Sequence, residues 1–328
     1  MNRIMKYIQL PDTTQHRLPF YLAMEEFVAR HLHEKECFFM WQVNPTVIFG
    51  RNQLIENEVN LEFCKDNGIQ TYRRKSGGGC VYADHSNIMF SYIVEAENVS
   101  LTFTHYIRMV SHVLRQLGVP AEPSGRNDIL IHGKKVSGNA FYHLPGKSIV
   151  HGTMLFNTDL KNMVGAITPS NEKLVSKGVE SVRQHVTNLS EYLDIDIEVF
   201  KAFVRNQLCD ETILLSHKDV ETIKEIEQEY LTNEFIYGRN PQYTVVKKGK
   251  TPMAGEFEIR MDVKNNVIKK INIMGDYFLV GDLDKGLIQP LTGLDYDREA
   301  IAHALGSIPL QDIILHLDAE QFLDILFK

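Results

Sequence analysis

The stretch Arg73–Tyr82, RRKSGGGCVY, decides how the rest of the chain is read. Inside a regular element each glycine costs about 0.5–1 kcal/mol relative to alanine, because it gives up more backbone freedom. Three in a row stand between the β-rich runs IQTYR (69–73) and CVYAD (80–84), where they interrupt what would otherwise be strand. Without Cβ atoms their N–H groups can approach a ligand closely and form an anion-binding concavity, to which Arg73, Arg74 and Lys75 would add charge. The common glycine signatures do not apply. Gly133-Lys134 is followed by Lys135 rather than Ser or Thr, so there is no Walker A loop, and GxGxxG, GxSxG and HExxH are absent.

Composition narrows the ligand. The 328 residues are 44% hydrophobic and 23% charged, ordinary for a globular protein, and the length favours two domains. A formal net charge of -7 gives no global field for nucleic acid or an anionic membrane, so an anionic ligand must be held by local cations and backbone N–H groups. Cys37, Cys64, Cys80 and Cys209 are scattered, without CxxC pairs, which suits a reducing compartment rather than a zinc site or disulfide framework. The N-terminus does not read as a signal peptide and no apolar run reaches the roughly 20 residues a membrane helix needs, so a cytoplasmic protein is expected.

Outward from the glycines, the run from Pro19 to about Glu34, containing YLAMEEFVARHLHE (21–34), is an amphipathic helix with charges between its apolar positions. CFFMWQV (37–43) and TVIFG (46–50) flank Asn44-Pro45, a hairpin signal, and EVNLEFCKDNG (58–68) reads as one helix ending at Gly68. NIMFSYIV (87–94) and SIVHGTMLFN (148–157) read as strands, THYIRMVSHVLRQLG (104–118) as a helix, and DILIHGKKVSG (128–138) as two strands joined at His132-Gly133. Strands and helices mix without strict alternation, which predicts a mixed α/β (α+β) fold. KKGKT (247–251) is polar and aperiodic, a candidate linker between residues 1–246 and a small α+β domain at 247–328, with a hairpin at Asn265-Asn266 and two closing helices.

Two further clusters carry chemistry. SGRNDILIHGKKVSGNAF (124–141) places Asp128 at a strand start and Lys134 and Lys135 just past a turn, where an antiparallel pair brings carboxylate and ammonium together. A carboxylate can hold Mg²⁺ with phosphate, and a lysine serves as a point charge on phosphate or carboxylate. HGTMLFN (151–157) heads an apolar strand with a His-Gly pair, the histidine expected to organise the strand through a backbone hydrogen bond.

RRKSGGGCVY, SGRNDI with GKKVSGNA, and HGT, in that order, resemble the lipoate–protein ligase A family, as do PTVIFGRNQ (45–53), GVESVRQHVTNL (178–189) and FIYGRNPQY (235–243). The resemblance implies a catalytic domain of the biotin/lipoate-ligase type, related to class II synthetases, with a small C-terminal accessory domain. It implies that lipoate and ATP give lipoyl-adenylate and pyrophosphate, and that a lysine of an acceptor lipoyl domain then takes the lipoyl group. ATP and Mg²⁺ would be needed. The partners would be apo lipoyl domains of 2-oxoacid dehydrogenase E2 subunits and the glycine-cleavage H protein, with no nucleic acid or membrane involved and a monomeric enzyme.

Residue by residue, the resemblance implies that Lys135 touches both the lipoyl carbonyl end and the α-phosphate, and that Asp128 lies near phosphate and Mg²⁺. Arg74 would contact ATP. Ser76, Gly77, Gly78, Gly79, Cys80, Val81 and Tyr82 would line the nucleotide, together with Asn127, Ser137 and Gly138. His151, Gly152 and Thr153 would line lipoate beside Lys135, and the loop 167–184 would close over the adenylate. On this reading the glycines let the backbone run flush against the acyl chain and adenylate. Two departures stand out: Ala83-Asp84 replaces the family's usual His-Asp, and Ser86-Asn87 its Gly-Asn.

Two alternatives stay open. A cysteine in a glycine loop beside arginines could have a depressed pKa and form an acyl thioester, making Cys80 the nucleophile of an octanoyl or lipoyl transferase. Biotin–protein ligase shares the superfamily fold, but its usual GRGRxG loop is replaced here by RRKSGGG.

Overall fold

The structure is a computed structural model that describes residues 5–53, 55–95, 99–125, 127–167, 185–237, 245–264 and 266–327. Its residues pack into two units. One comprises Met1–Phe49, Glu56–Arg74 and Cys80–Ile236; the other comprises Gly50–Ile55, Lys75–Gly79 and Tyr237–Lys328.

The larger unit is built on an eight-stranded sheet, ordered β11-β1-β2-β6-β10-β9-β8-β7. Its strands are β1 (Lys6–Gln9), β2 (Glu36–Trp41), β6 (Asn87–Val94), β7 (Ala121–Pro123), β8 (Asp128–Ile131), β9 (Lys134–Leu144), β10 (Lys147–Leu155) and β11 (Glu211–Leu214). β11, β1 and β2 run parallel and the remaining pairs are antiparallel. A second sheet, β4-β3-β5, joins Thr46–Phe49 (β3) to Gln70–Arg73 (β4) and Val81–Ala83 (β5). The runs on either side of Asn44-Pro45 therefore enter different sheets and form no hairpin, because β3 takes its partners from the two strands that flank the glycines.

Helix α1 (Leu18–His31) starts with Pro19 in its first turn, ends on Arg30 and His31, and covers one face of the large sheet. It is not the amphipathic surface helix expected from its charges: Leu18 through Ala29 are all buried, Glu25 and Glu26 included. Glu26 takes a 2.8 Å salt bridge from Arg30 and accepts from the Tyr230 hydroxyl of helix His217–Tyr230. The opposite face carries helix Val99–Gln116, through ring contacts of Phe103 with Phe141 and of Tyr106 with Tyr92. The helix expected over 58–68 breaks at Val59-Asn60, and Asn60 caps the segment Leu61–Asp66 by accepting from Phe63 N–H.

The smaller unit has its own core of Phe257, Ile259, Ile271, Ile273, Leu305, Phe322 and Leu326 under the sheet β12-β13-β14. β12 is Val245–Thr251, β13 Gly255–Lys264 and β14 Val267–Asp276. The run 247–251 is thus edge strand rather than linker, with Lys248 pairing Glu258 and Lys250 pairing Glu256 of β13. The change of unit at Ile236/Tyr237 precedes the expected boundary, and of the two closing helices the second is confined to Ala319–Phe327. The hairpin at residues 265 and 266 connects β13 to β14, with Asn266 at φ 61°; position 265 itself lies outside the described residues.

Candidate active site

The β8–β9 hairpin sets the first pair of functional groups. His132 and Gly133 take φ of 49° and 78°, the left-handed pair that a two-residue type I′ turn requires. The ladder that follows is irregular: Leu130 pairs with Lys135, but Ile129 pairs with Ser137 and Asp128 with Gly138, so Val136 is left over as a bulge. That bulge lets Lys135 fold back along the strand, and its Nζ meets Asp128 Oδ1 at 2.8 Å. Gly138 provides the space, since a Cβ there would lie 2.7 Å from both Lys135 Cε and Nζ. Lys134, on the surface, lines a separate cavity of about 490 Å³ with Lys161, Asp159 and Glu191. Of the two lysines, the hairpin brings Lys135 to the carboxylate.

Lys135 is also tied from behind. Its carbonyl accepts from Thr187 N–H at 2.9 Å, so residues 185–188 run alongside β9. The expected closing loop 167–184 lies, apart from Ile167, outside the described residues, as do 178–184 and 238–243 of the other family-like segments.

From Lys135 a stripe of side chains crosses the face of the sheet that α1 covers. Strand alternation puts Gly138 and Ala140 of β9, Thr153 and His151 of β10, Ser91 of β6 and Trp41 of β2 on this face. Gly138, Ala140 and Thr153 are small, and the far end of the stripe is a buried polar chain. Trp41 Nε1–H donates to Ser91 Oγ at 2.8 Å, and the Ser91 hydroxyl donates to Glu25 Oε1 at 2.6 Å. His151 Nδ1 reaches Glu25 Oε2 at 2.9 Å, the imidazole donating to the carboxylate. His151 therefore sits in mid-strand rather than at a strand start, and its imidazole is bound to the Glu25 carboxylate. Burying Glu25 without such donors would be costly, so the chain is satisfied as a set. Glu25, Ser91 and Trp41 were not legible as site residues, because they come from three elements separated by tens of residues.

Gly152 faces the other way. A Cβ on it would sit 1.9 Å from Asn139 Oδ1, so its missing side chain makes room for Asn139.

A family model described as "Lipoyl protein ligase A/B catalytic domain" matches residues 18–209, and one described as "Bacterial lipoate protein ligase C-terminus" matches 240–326. The chain belongs to the lipoate–protein ligase family. It is 35% identical over 318 residues to lipoate-protein ligase LplJ of Bacillus subtilis, covering 93% of this chain and 96% of that protein. It is 35% identical over 328 residues to lipoate–protein ligase 1 of Staphylococcus aureus, covering 97% and 99%. Among solved structures, the fold resembles P. falciparum LipL1 in complex with lipoate at TM-score 0.75, 21% identity and 98% and 97% coverage. A lipoate-protein ligase A bound with ATP matches at TM-score 0.60 and 25% identity, over 73% of this chain and 99% of that one.

The other residues singled out in this lipoate–protein ligase family member fall into two groups. In the larger unit, Arg74 is 4% exposed, donates through Nη1 to the Ile48 carbonyl at 3.0 Å, and so braces β3. Val81 and Tyr82 pair with Ile48 and Val47, Tyr82 fully buried. Burial pushes the Cys80 thiol up to about 12, with the nearby Arg74 lowering it only in part. A thiol so raised is a packing group, not a nucleophile poised at neutral pH. The two departures are accommodated: Ala83 is buried, and Ser86 donates N–H and Oγ–H to Asp84 Oδ1 at 2.8 and 2.6 Å, closing the turn into β6.

In the smaller unit, Ser76 accepts at its carbonyl from Arg51 N–H, and Gly78 N–H donates to the Tyr277 carbonyl, each at 2.9 Å. A Cβ on Gly77 would lie 2.2 Å from the Tyr277 carbonyl oxygen, and Gly78 holds φ 87°. The close approach that these glycines permit is here to protein backbone. At Gly79 a Cβ would meet the Asp276 carboxylate at 3.2 Å, a side chain that can turn away.

Proposed function

We propose that the protein is an ATP-dependent lipoate–protein ligase, and that the Asp128–Lys135 pair at the head of this stripe is where lipoate is activated. The observation that supports this most is the arrangement itself: an ammonium held 2.8 Å from a carboxylate at one end of a stripe of residues on one sheet face, with a buried imidazole–carboxylate pair at the other. A carboxylate-headed acyl chain laid along this stripe would place its charged end on Lys135. In the first step a carboxylate oxygen attacks the α-phosphorus of ATP and pyrophosphate leaves. Lys135 stabilises the negative charge that accumulates between carboxylate and phosphate. In the second, the ε-amine of an acceptor lysine attacks the acyl carbonyl, loses its proton, and AMP departs.

Among the described residues no group of three or more His, Cys, Asp or Glu side chains could hold a metal alone. A single carboxylate plus substrate phosphates suits Mg²⁺, which keeps several waters, and Asp128 would be its protein ligand. Bound there, Mg²⁺ would neutralise phosphate charge; Asp128 would then divide its contacts between the ion and Lys135. Arg74, the backbone of Ser76–Tyr82, Asn127, Ser137 and Gly138 are assigned to the nucleotide, and Thr153 and His151 to the acyl chain. Gly152 enters through Asn139.

The Thermoplasma acidophilum structure that matches at TM-score 0.63 and 28% identity is described as a bipartite lipoate protein ligase with its E2 lipoyl domain. Apo lipoyl domains of 2-oxoacid dehydrogenase E2 subunits, and the glycine-cleavage H protein, are accordingly the proposed acceptors of a monomeric, cytoplasmic enzyme. No helix of the described residues is long and apolar enough to cross a membrane. Incubation with lipoate, Mg²⁺-ATP and an apo lipoyl domain tests the reading by intact mass. One lipoyl adduct that appears only with ATP is expected. ATP-independent transfer from an acyl donor would favour the Cys80 thioester, and biotin in place of lipoate would favour the biotin–protein ligase reading.

A further inference from the structure

On the sheet face opposite that stripe, Asn139 is 3% exposed and hydrogen-bonded at both ends of its amide. Its Nδ2 donates to the Asn127 carbonyl at 2.9 Å, and its Oδ1 accepts from Ser137 Oγ at 3.2 Å. The backbones join the same clasp: Asn139 N–H donates to Asn127 O at 3.1 Å, and Asn127 Nδ2 donates back to Asn139 O at 3.1 Å. Asn127 immediately precedes Asp128, whose N–H is held by Ser124 Oγ at 2.9 Å. The clasp sits one residue beyond the last rung of the β8–β9 ladder, Asp128 opposite Gly138. The bulge at Val136 separates the turn-side rungs, which carry Lys135, from the Asp128–Gly138 rung, so the clasp holds the end of the ladder on which Asp128 sits.

We propose that Asn139 is a positioning residue that fixes the Asp128–Lys135 pair from the far side of the sheet, and that Gly152 exists to seat it. The inference rests on the ligase reading for its kinetic consequence, but not for its geometry. Two features set it apart from ordinary packing. The amide's donor and acceptor ends go to two different segments, the Asn127 carbonyl and the Ser137 hydroxyl, so it measures the distance between them. And the neighbouring strand gives up its side chain at the one position where any Cβ would strike the amide. Misplacing a reacting group by about 1 Å can cost on the order of a hundredfold in rate, so a side chain that never touches substrate can still govern kcat.

Three measurements test this. In a crystal structure of ligand-free Asn139→Ala, Asp128 Oδ1 and Lys135 Nζ should separate beyond the roughly 4 Å of an ion pair; a pair unchanged at 2.8 Å overturns the proposal. In steady-state adenylation, Asn139→Ala should lower kcat about ten- to hundredfold with KM for lipoate nearly constant. Asn139→Asp keeps the volume but sets a carboxylate oxygen against Asn127 O, and should be as impaired as Asn139→Ala; an Asp variant with parental kcat overturns the hydrogen-bond argument. Finally, Asn139→Ala should add nothing on an Asp128→Ala background, whereas the same fold-loss on that background would make Asn139 a mere packing residue. A parent that makes no lipoyl-adenylate defeats the functional reading, and the crystallographic arm then still decides the role of Asn139.

Discussion

Burial raises the Cys80 thiol to about 12, so near neutral pH its thiolate fraction lies far below that of a free cysteine. Iodoacetamide should therefore modify Cys80 slowly in the folded protein, with a rate that climbs about tenfold per pH unit toward 12 and jumps on unfolding. Cys80→Ala should keep lipoylation within a few-fold of the parent, measured by acceptor mass. A folded but inactive Cys80→Ala protein would restore the thioester mechanism. The lysines divide in the same way. Lys135→Ala should cost about 10²–10³ in adenylation rate, the effect of losing one preorganised electrostatic donor, measured as pyrophosphate release. Lys134→Ala should be mild, because that side chain lines a surface cavity instead of meeting Asp128. Equal losses at both lysines would show that the hairpin does not select between them.

At the scale of elements, the β8–β9 turn and the glycine loop make opposite demands on glycine. Gly133 has open space around its Cβ direction but a φ of 78°, so Gly133→Ala is a backbone problem, costing about 1–2 kcal/mol. Gly77 has an ordinary φ but no room, its Cβ falling 2.2 Å from the Tyr277 carbonyl oxygen, so Gly77→Ala is an overpacking problem worth about 1–3 kcal/mol. Gly79→Ala should be the gentlest, since only the Asp276 side chain must move. Melting temperatures should rank Gly79→Ala above both of the others. A collapse at Gly79 with tolerance at Gly77 would contradict the packing described here. Much of this was legible: the hairpin at His132-Gly133, the strands flanking the glycines and the helix end at Gly118 all follow from local chemistry. What the loop glycines face was not legible, since Tyr277 lies some two hundred residues away.

For the whole molecule, the smaller unit is discontinuous in sequence: Gly50–Ile55 and Lys75–Gly79 pack with Tyr237–Lys328. Gly275 N–H donates to the Asn52 carbonyl at 2.9 Å, and Gly78 N–H to Tyr277 O at the same distance. A fragment ended after Ile236 therefore retains two segments without the rest of their unit. Trypsin should cut such a fragment at Lys75 at least about tenfold faster than the full chain, because local opening there no longer breaks those hydrogen bonds. Equal cleavage rates, followed by mass spectrometry, would show that the loop holds its conformation alone.

Sequence by itself determined the local elements and the chemistry available: a glycine loop beside cations, a carboxylate and a lysine across a tight turn, a histidine on a buried strand, and the resemblance those motifs carry. It did so because turn geometry, strand alternation and motif spacing are short-range properties of the chain. Only the tertiary structure decided which polar groups share a site. Glu25 looked like one charge on an amphipathic helix, yet Leu18 through Ala29 of α1 are all buried and Glu25 joins His151, Ser91 and Trp41 in one polar chain. Gly152 looked like a ligand contact beside His151, yet the two-residue period of the strand turns it to the opposite face, against Asn139. Burial and partner choice depend on which distant segments the sheet brings together, and nothing local encodes that.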